Sequence, residues 1–283
     1  MTVSDVELAT LASTHDIISL GMLADGERRR RHGLRTTFVR VVTVSANPDD
    51  RLPLSPAAGE LRIQGTPASR VAAVERVRQV ASVSGGVPLS GYSLADLEQL
   101  AAREGVTLRS LLEELQAVGL ELVAEAPIDT LQSPRQSIEQ VNIAGLALAR
   151  LTVHRAHETD MLPMLKSVAA LQRDVAVVRA FAPLCRTVNA SMPTTGYDDV
   201  KRVALARLVV DNVPSIQVDW ELCGPKLSQL ALTVGADDVD GVSAEDDLSQ
   251  GRRRAPLEEI RRNIRAAGQE PVERNGRFDP VRS

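Results

Sequence analysis

From about residue 85 onward, the chain alternates between stretches in which apolar residues recur every three or four positions and short runs that are apolar throughout. Ser93 precedes the first such stretch, which carries leucines on one face and ends at Gly105, and Thr107 precedes the second, which ends at Gly119. This spacing forms one face of a helix, Ser and Thr are favoured at helix starts, and Gly is favoured just past helix ends. The pattern therefore predicts two helices, followed by a strand over 120–124.

The same alternation continues to the carboxyl end. Further helices are predicted from 134, over 159–173, 196–210 and 226–234 and from 256, with strands over 148–153, 175–181, 215–219 and 238–242. Repeated strand and helix units with short connections favour a (β/α) barrel of the TIM type over an open doubly wound sheet. Neither a G-x-G-x-x-G motif nor a G-x-x-x-x-G-K-S/T motif follows a strand, which further disfavours a nucleotide-binding sheet.

The front of the chain departs from this alternation. Residues 4–31 are expected to form one or two helices, 36–45 and 61–64 strands, and 68–80 a helix. Between the two strands lies 46–59, where three prolines forbid a regular helix. Parallel neighbours need a crossover of about a dozen residues or more, usually a helix. The barrel is therefore predicted to be partial or distorted at its first β/α units.

Length and charge bound the function. We divide the 283 residues into an N-terminal helical segment (1–35), the barrel (36–250) and a C-terminal helix and tail (251–283). The formal net charge of -4 gives no electrostatic footprint for nucleic acid. No apolar segment approaches the roughly 20 residues of a membrane span, and no charged and then apolar leader precedes the first helix. We expect a cytoplasmic protein that binds neither nucleic acid nor membrane.

The cysteine count is the most restrictive number. Cys185 and Cys223 are the only cysteines, and both lie in apolar surroundings, so we expect buried, reduced thiols. Two thiols cannot supply the ligands of an all-thiolate iron–sulfur cluster from this chain alone. His154 and His157 have no cysteine close by and do not form a zinc pattern.

Six carboxylates fall within the eleven positions 237–247. When this stretch is aligned to a calcium loop with Gly241 in the sixth place, Ala236 falls in the first ligand position. Asp247, one methylene short, stands where a bidentate Glu belongs. We therefore expect the final strand of the barrel, with Asp237 and Asp238 at its rim, and a solvated loop or helix cap rather than a calcium site.

Several segments share the pattern of one enzyme family. The strongest are PTTGYDDVKRVALARLVVDN (193–212), IQVDW (216–220), GADDVDG (235–241) and the ending IRAAGQEPVER (264–274). Weaker ones are GMLAD (21–25), AVGL (117–120) and HET (157–159). The chain thereby resembles the radical SAM enzymes of the futalosine route to menaquinone. It is most similar to aminofutalosine synthase, with dehypoxanthine futalosine cyclase and the deazaflavin-cofactor synthases as relatives.

The resemblance implies a cofactor whose ligands are missing here. Such enzymes carry a C-x-x-x-C-x-x-C loop after the first strand, which binds a 4Fe-4S cluster and, through it, S-adenosylmethionine. The corresponding stretch, 42–50, has no cysteine, and the family's glycine-rich turn after the next strand survives only as 64–67, QGTP. Oxygen ligation by Ser45, Asp49 or Asp50 is conceivable, but thiolates are the norm. We therefore expect no cofactor.

Candidate site residues follow from the barrel. Strand ends would gather Glu125, His154, His157, Glu158, Asp219 and Asp237 at one rim, where barrel sites form. The expected ligand-binding set is Glu125, His157, Asp219, Trp220, Asp237 and Asp238. His157 and Glu158 could act as acid and base, or could merely cap the next helix. Trp220 either fills the core or stacks on a ligand. Arg207 and Asp211 are expected to form a structural ion pair.

Three functions remain open. The first is a substrate-binding or accessory protein of menaquinone biosynthesis, which has kept the substrate side of the family's barrel and lost the cofactor side. It would work as a homodimer or beside a paralogous radical SAM enzyme. The second is a cluster-independent enzyme that uses His157 and Glu158 on a chorismate-derived or nucleoside-like substrate. The third is a structural or regulatory protein without a ligand.

Overall fold

Eight parallel strands form a closed barrel in the computed structural model, which describes residues 5–155, 161–187, 195–245 and 256–281. The strands of the described residues are β1 (Arg35–Ser45), β2 (Glu60–Gln64), β3 (Leu89–Ser93), β4 (Leu122–Pro127), β5 (Ala147–Leu148), β6 (Leu151–Val153), β7 (Ala180–Cys185), β8 (Ser215–Asp219), β9 (Asp238–Ser243) and β10 (Glu270–Arg274). The ring runs β1-β2-β3-β4-β6-β7-β8-β9 and closes where β9 pairs with β1. The predicted fold class, a (β/α) barrel, is confirmed.

Two strands lie off this ring. The two-residue β5 pairs with the start of β4 at Leu122 and Val123, whereas β6 pairs with its end. Between β5 and β6 the chain leaves strand geometry, so the single strand predicted over 148–153 is divided in two. β10 pairs with the first half of β1 from Arg35 to Val39 and lies at the amino-terminal end of the barrel.

Helices cover the outside of the ring. They are α1 (Asp5–Ser13), α2 (Ile17–His32), α3 (Arg70–Val83), α4 (Leu94–Glu104), α5 (Leu108–Ala117), α6 (Pro134–Ile143), α7 (Met161–Val175), α8 (Gly196–Val209), α9 (Trp220–Leu232) and α10 (Pro256–Ala266). Two predicted helix caps are confirmed. Thr107 caps the start of α5 by accepting from the backbone N–H of Ser110, and Gly105, in the left-handed conformation, ends α4. Ser93 stands at the start of α4 but makes no capping hydrogen bond.

The first crossover lacks a helix, as predicted. β1 and β2 are parallel neighbours, with Val41 opposite Glu60 and Ser45 opposite Gln64, and 46–59 connects them without any helix or strand. The ring of strands is nevertheless complete. The distortion at the first unit is therefore the missing helix, not an opening in the sheet.

Apolar side chains fill the space between helices and strands, with Leu, Val and Ala in place of aromatic residues. Arginines supply part of the remaining volume: Arg28, Arg76, Arg202 and Arg207 are among the largest fully buried side chains. No helix within the described ranges is both long and apolar enough to cross a bilayer.

Candidate functional site

The middle of the barrel lumen is filled by an ion-pair network. Arg62 on β2 donates two hydrogen bonds to Asp240 on β9, at 2.8 and 2.9 Å, and a third to Glu60 at 2.8 Å. Arg150, which precedes β6, places Nη1 2.6 Å from Oδ2 of Asp240, an oxygen that also accepts from Arg62. Ser90 on β3 donates to Glu60 at 2.5 Å. Because these residues come from strands around the whole ring, their contacts show that they face the lumen.

This network keeps Asp240 ionised. Burial opposes the charge, but the guanidinium groups of Arg150 and Arg62 outweigh it and lower the pKa of Asp240 well below its usual range. Burial and the neighbouring charge of Arg62 lower the pKa of Arg150. A buried carboxylate between two buried arginines is stable only while all three charges are present.

A second layer lies above the network, at the carboxyl ends of the strands. Glu125 at the end of β4 contacts Nε2 of His154, just past β6, at 3.2 Å. Arg186, just past β7, places Nε 3.0 Å from the other oxygen of Glu125 and donates from Nη1 to Asp219 of β8 at 3.1 Å. The side chains of Glu125 and Arg186 are 16% and 20% exposed. We call these four residues, Glu125, His154, Arg186 and Asp219, the upper cluster.

Several buried polar groups in the lumen have no hydrogen-bond partner within the part of the chain that the structure describes. They are Ser93 Oγ, Arg150 Nε, Thr152 Oγ1, Arg186 Nη2 and Gln217 Oε1. Ser93 is the register partner of Glu125 and so shares its face, and Thr152 lies between the lumen-facing residues at 150 and 154. Unpaired buried polar groups are costly, so this set favours a lumen that holds water or a ligand.

Asp238 was expected at the rim, and this prediction is wrong. It opens β9 and therefore lies at the amino-terminal end of the lumen. Its two oxygens each accept from Arg274 of β10 at 2.7 Å, and they also accept from Thr37 and Gln217. The guanidinium of Arg274 stacks 3.9 Å above the Phe278 ring. Asp238 thus closes the floor of the barrel.

Asp237 was also expected at the rim and is instead buried among helices and strands at the amino-terminal end. It accepts from Arg207 of α8, from the hydroxyl of Ser215 and from the backbone N–H of Ile216. The predicted pair of Arg207 with Asp211 is therefore wrong, because Arg207 binds Asp237 and the Gly235 carbonyl. A β9 strand that begins at 238 directs these carboxylates away from the rim.

Two other residues that were predicted to bind a ligand, Asp219 and Trp220, lie in or beside the upper cluster. Asp219 belongs to it and also caps α9, accepting from the backbone N–H of Leu222 at 3.0 Å. Trp220 is partly buried and begins α9, beside a cavity of about 370 Å³ that Thr43 and Ser243 also line. His157 and Glu158 lie outside the described residues. Of the predicted rim set, the structure therefore brings together Glu125, His154 and Asp219.

The end of β1 does not fit a thiolate-held cluster. The turn after Ser45 is folded over the buried Arg76 of α3, which donates to the carbonyls of Ser45 at 2.7 Å and Asp50 at 3.0 Å. This stretch offers hydroxyl, amide and carboxylate groups but no thiol. Within the described ranges, no group of three or more His, Cys, Asp or Glu residues is arranged to hold a metal ion.

The two cysteines lie elsewhere in the fold. Cys185 ends β7 and Cys223 is in α9, so neither is at the end of β1. Burial, with the nearby charge of Asp219, raises the pKa of Cys223 to about 12, and burial raises the pKa of Cys185. Thiols held in the protonated form are poor metal ligands.

Comparison with known proteins now places the chain. Residues 178–283 match the family model described as the CofH/MqnC C-terminal region. This carboxyl-terminal part of the chain is therefore similar to the futalosine-type radical SAM enzymes. The resemblance noted in the sequence is thereby confirmed, and the matched region begins just before β7 and includes Arg186, Asp219 and Asp240 of the lumen.

Curated members of the futalosine-type family match at moderate identity. Aminodeoxyfutalosine synthase of Thermus thermophilus is 26% identical over 230 residues, covering 70% of this chain and 61% of that protein. The 5-amino-6-(D-ribitylamino)uracil–L-tyrosine 4-hydroxyphenyl transferase of Methanosphaerula palustris is 26% identical over 204 residues, covering 63% and 56%. The chain thus spans about six-tenths of the length of these relatives. A shorter match to the aminodeoxyfutalosine synthase of Streptomyces coelicolor reaches 40% identity over 95 residues, or 31% of this chain and 24% of that protein.

Solved structures share the barrel fold of this chain. Methylornithine synthase superposes with a TM-score of 0.69 at 13% identity, covering 96% of this chain and 95% of that one. The FeFe-hydrogenase maturase from Carboxydothermus hydrogenoformans superposes with a TM-score of 0.66 at 11% identity, covering 95% and 76%. At such identities the likeness shows the fold alone.

Among the lumen residues that sequence reasoning missed are Arg62, Arg150, Arg186 and Asp240. The sequence contained one signal for Arg62 and Asp240, which is the alternation of polar and apolar residues along a strand. Arg62 lies between Leu61 and Ile63, and Asp240 alternates with Val239, as in any strand with one polar face. That pattern usually marks a face in solvent, and only the closure of the ring turns it inward.

Proposed function

We propose that this protein is a cluster-free member of the futalosine-type radical SAM family. It would bind a small polar molecule in the barrel lumen, as a substrate-binding or accessory protein of menaquinone biosynthesis. The observation that carries the proposal is the set of buried, unpartnered polar groups beside the upper cluster. Most of them are donors, so a ligand with carbonyl, carboxylate or hydroxyl oxygens would complete their hydrogen bonds.

The absence of a 4Fe-4S cluster and of S-adenosylmethionine is part of this proposal. Two features support it: the end of β1 offers no thiol, and the carbonyls of its turn are already bound by Arg76. Both cysteines belong to other strands or helices. A cytoplasmic location is part of the same proposal.

The relatives suggest the ligand class. Their names include aminodeoxyfutalosine and ribitylaminouracil, so we propose a nucleoside-like or chorismate-derived ligand. The partner we propose is a second copy of the chain or a paralogous radical SAM enzyme, which would perform the chemistry that this chain has lost.

Ligand binding tests the proposal directly. Thermal unfolding and calorimetry would be measured with futalosine, a chorismate derivative and S-adenosylmethionine. A bound ligand at a hundred times its dissociation constant should stabilise the protein by roughly 2.7 kcal/mol. Arg186→Gln should weaken binding by at least about tenfold, since it removes a charged donor. The matched control Arg277→Gln removes an exposed ion pair with Glu121 at the opposite end and should leave binding unchanged.

Cofactor content is tested separately. Iron and sulfide would be quantified after anaerobic reconstitution, with a family enzyme that carries the cysteine loop as the positive control. We expect no stoichiometric cluster in this protein. A full 4Fe-4S cluster that cleaves S-adenosylmethionine would contradict the proposal.

A second candidate function is the cluster-independent enzyme in which His157 and Glu158 act as acid and base. It is favoured by their place in the chain, three and four residues after His154, which lies in the upper cluster. His157→Gln should then abolish turnover of a bound ligand while leaving the fold unchanged. A variant with unaltered turnover would remove this candidate.

A further inference from the structure

The Glu125 carboxylate is shared by two side chains that come from different strands. One oxygen lies 3.2 Å from Nε2 of His154, and the other lies 3.0 Å from Nε of Arg186. The side chain of His154 is 28% exposed, whereas that of Glu125 is 16% exposed. The arrangement places an imidazole and a guanidinium side by side at the mouth of the lumen.

The charge of Glu125 decides which ring nitrogen carries the proton. Burial opposes ionisation, but the hydrogen bond from His154 and the charges of Arg186 and Arg150 outweigh it and lower the pKa of Glu125 to about 2. An ionised carboxylate only accepts, so the neutral imidazole must carry its proton on Nε2. Nδ1 is then left with a lone pair that can take a proton.

The backbone of His154 is fixed on both sides. Its N–H donates to Asp129 at 2.8 Å, and its carbonyl accepts from the hydroxyl of Thr187. Asp129 also accepts from the backbone N–H of Arg155 at 2.5 Å. An imidazole held by its backbone and oriented by a carboxylate is arranged as general bases are arranged in enzymes.

We propose that His154 is a general acid–base residue that exchanges protons with carbon next to a carbonyl group, with Glu125 as its positioning residue and Arg186 as the donor to the developing oxyanion. The substrate class is a small carbonyl compound with an acidic C–H, such as a 2-keto acid. This goes beyond binding, and it rests on the proposed function only in requiring that small molecules enter the lumen.

The step balances without a co-reactant. Nδ1 of His154 takes the proton from carbon, and the electron pair of that C–H bond forms the carbon–carbon double bond of an enolate. The negative charge moves to the carbonyl oxygen, where Nη2 of Arg186, which has no partner among the described residues, donates a hydrogen bond. The imidazolium, stabilised by Glu125, returns a proton to carbon or oxygen. Nothing is oxidised or reduced.

Deuterium exchange tests the proposal. Phenylpyruvate, pyruvate and 2-oxobutyrate would be incubated with the full chain in deuterium oxide, and loss of the C3 proton signal followed by NMR. The wild type should accelerate exchange with at least one probe, and His154→Gln should lower this rate by about a hundredfold or more. His15→Gln, an exposed histidine outside the site, should exchange at the wild-type rate. Equal rates for wild type and His154→Gln, or no acceleration with any probe, would overturn the proposal.

A second measurement needs no substrate. Long-range nitrogen–proton correlation spectra should show the neutral form of His154 with its proton on Nε2 in the wild type. In Glu125→Gln this tautomer preference should be lost and exchange should slow, while circular dichroism stays unchanged. A wild-type His154 with its proton on Nδ1 would overturn the assignment of roles.

The outcomes separate this proposal from the proposed function. If futalosine or a chorismate derivative binds and no keto acid exchanges, the acid–base role fails and the binding role stands. If neither compound binds but exchange depends on His154, the binding role fails and the acid–base role stands.

Discussion

Asp240 is the residue on which the lumen network depends, because it is the carboxylate that Arg62 and Arg150 share. Asp240→Asn keeps the shape of the side chain but leaves two buried guanidinium groups without its charge. We expect the free energy of unfolding to fall by about 3–5 kcal/mol, as when one partner of a buried ion pair is removed. Urea denaturation followed by circular dichroism measures this change.

Asp174→Asn is the matched control for that substitution. Asp174 also pairs with an arginine, Arg135, but both side chains are at least half exposed, so its loss should cost less than about 1 kcal/mol. If both variants lose the same small amount, the network contributes little and the lumen is not held together by charge.

Glu125 should make stability depend on pH. Its pKa is lowered from 4.5 to about 2 in the folded protein. A carboxyl group with a depressed folded pKa contributes stability that is present above the unfolded pKa and lost as pH falls through the folded one. Near pH 6, the free energy of unfolding of the wild type should therefore be larger than that of Glu125→Gln by about 2–3 kcal/mol, after allowance for partial exposure.

That difference should narrow as pH falls from about 4.5 toward about 2, and unfolding by urea at a series of pH values would follow it. A difference that stays constant across this range would show that the carboxylate is not held ionised by His154 and Arg186.

At the scale of elements, the turn after β1 is held by α3. Arg76 donates to the carbonyls of Ser45 and Asp50, which replaces the missing crossover helix as the support for this loop. Arg76→Met should remove about 2–3 kcal/mol of stability, since it leaves these carbonyls without a charged donor. Hydrogen exchange should rise locally at the amides of 46–50.

Arg78→Met is the control on the same helix, because Arg78 is 59% exposed and pairs only with Glu75 among the described residues. Its exchange pattern at 46–50 should match the wild type. Unchanged exchange in Arg76→Met would show that the turn is supported by other contacts.

The elements that the sequence predicted correctly are those with a strong local pattern. Helices with leucine faces and Gly stops were found, and so was the missing crossover, because prolines act locally. β3, Leu89–Ser93, was not predicted, since it contains Gly91 and lacks a β-branched residue. β7 begins at Ala180 rather than at 175, because α7 extends through Val175 and Ala176 takes a positive φ of 54°. β10, Glu270–Arg274, depends on its pairing with β1 and carries little apolar signal of its own.

The site was less predictable than the fold. Glu125, His154 and Asp219 meet at the rim as expected, because each ends or directly follows a strand that the pattern identified. Arg186 was missed because β7 was placed too early, and Asp237 and Asp238 were assigned to the wrong end of β9. A shift of a few residues along a barrel strand moves a side chain from the rim to the floor, and local sequence does not fix that register.

At the scale of the whole molecule, contacts tie both ends of the chain to the barrel. Arg31 of α2 donates to the carbonyl of Asp211 at 2.5 Å. Arg274 of β10 binds Asp238 in the floor, and Arg277 pairs with Glu121 next to β4. Because these bonds join segments far apart in sequence, neither segment should unfold without disturbing the barrel.

The chain should therefore unfold in a single cooperative transition. Trp220 is the only tryptophan and lies at the rim, so tryptophan fluorescence reports on the rim. Far-UV circular dichroism reports on every helix, so the two signals sample different parts of the molecule. Their urea midpoints should coincide.

Truncation after residue 268 removes β10 and leaves Asp238 buried without Arg274. We expect this truncation to lower the free energy of unfolding by more than about 3 kcal/mol while unfolding stays cooperative. Separate midpoints in the full chain would show that unfolding is not a single transition. A truncated chain as stable as the parent would show that the barrel is stable without the C-terminal segment.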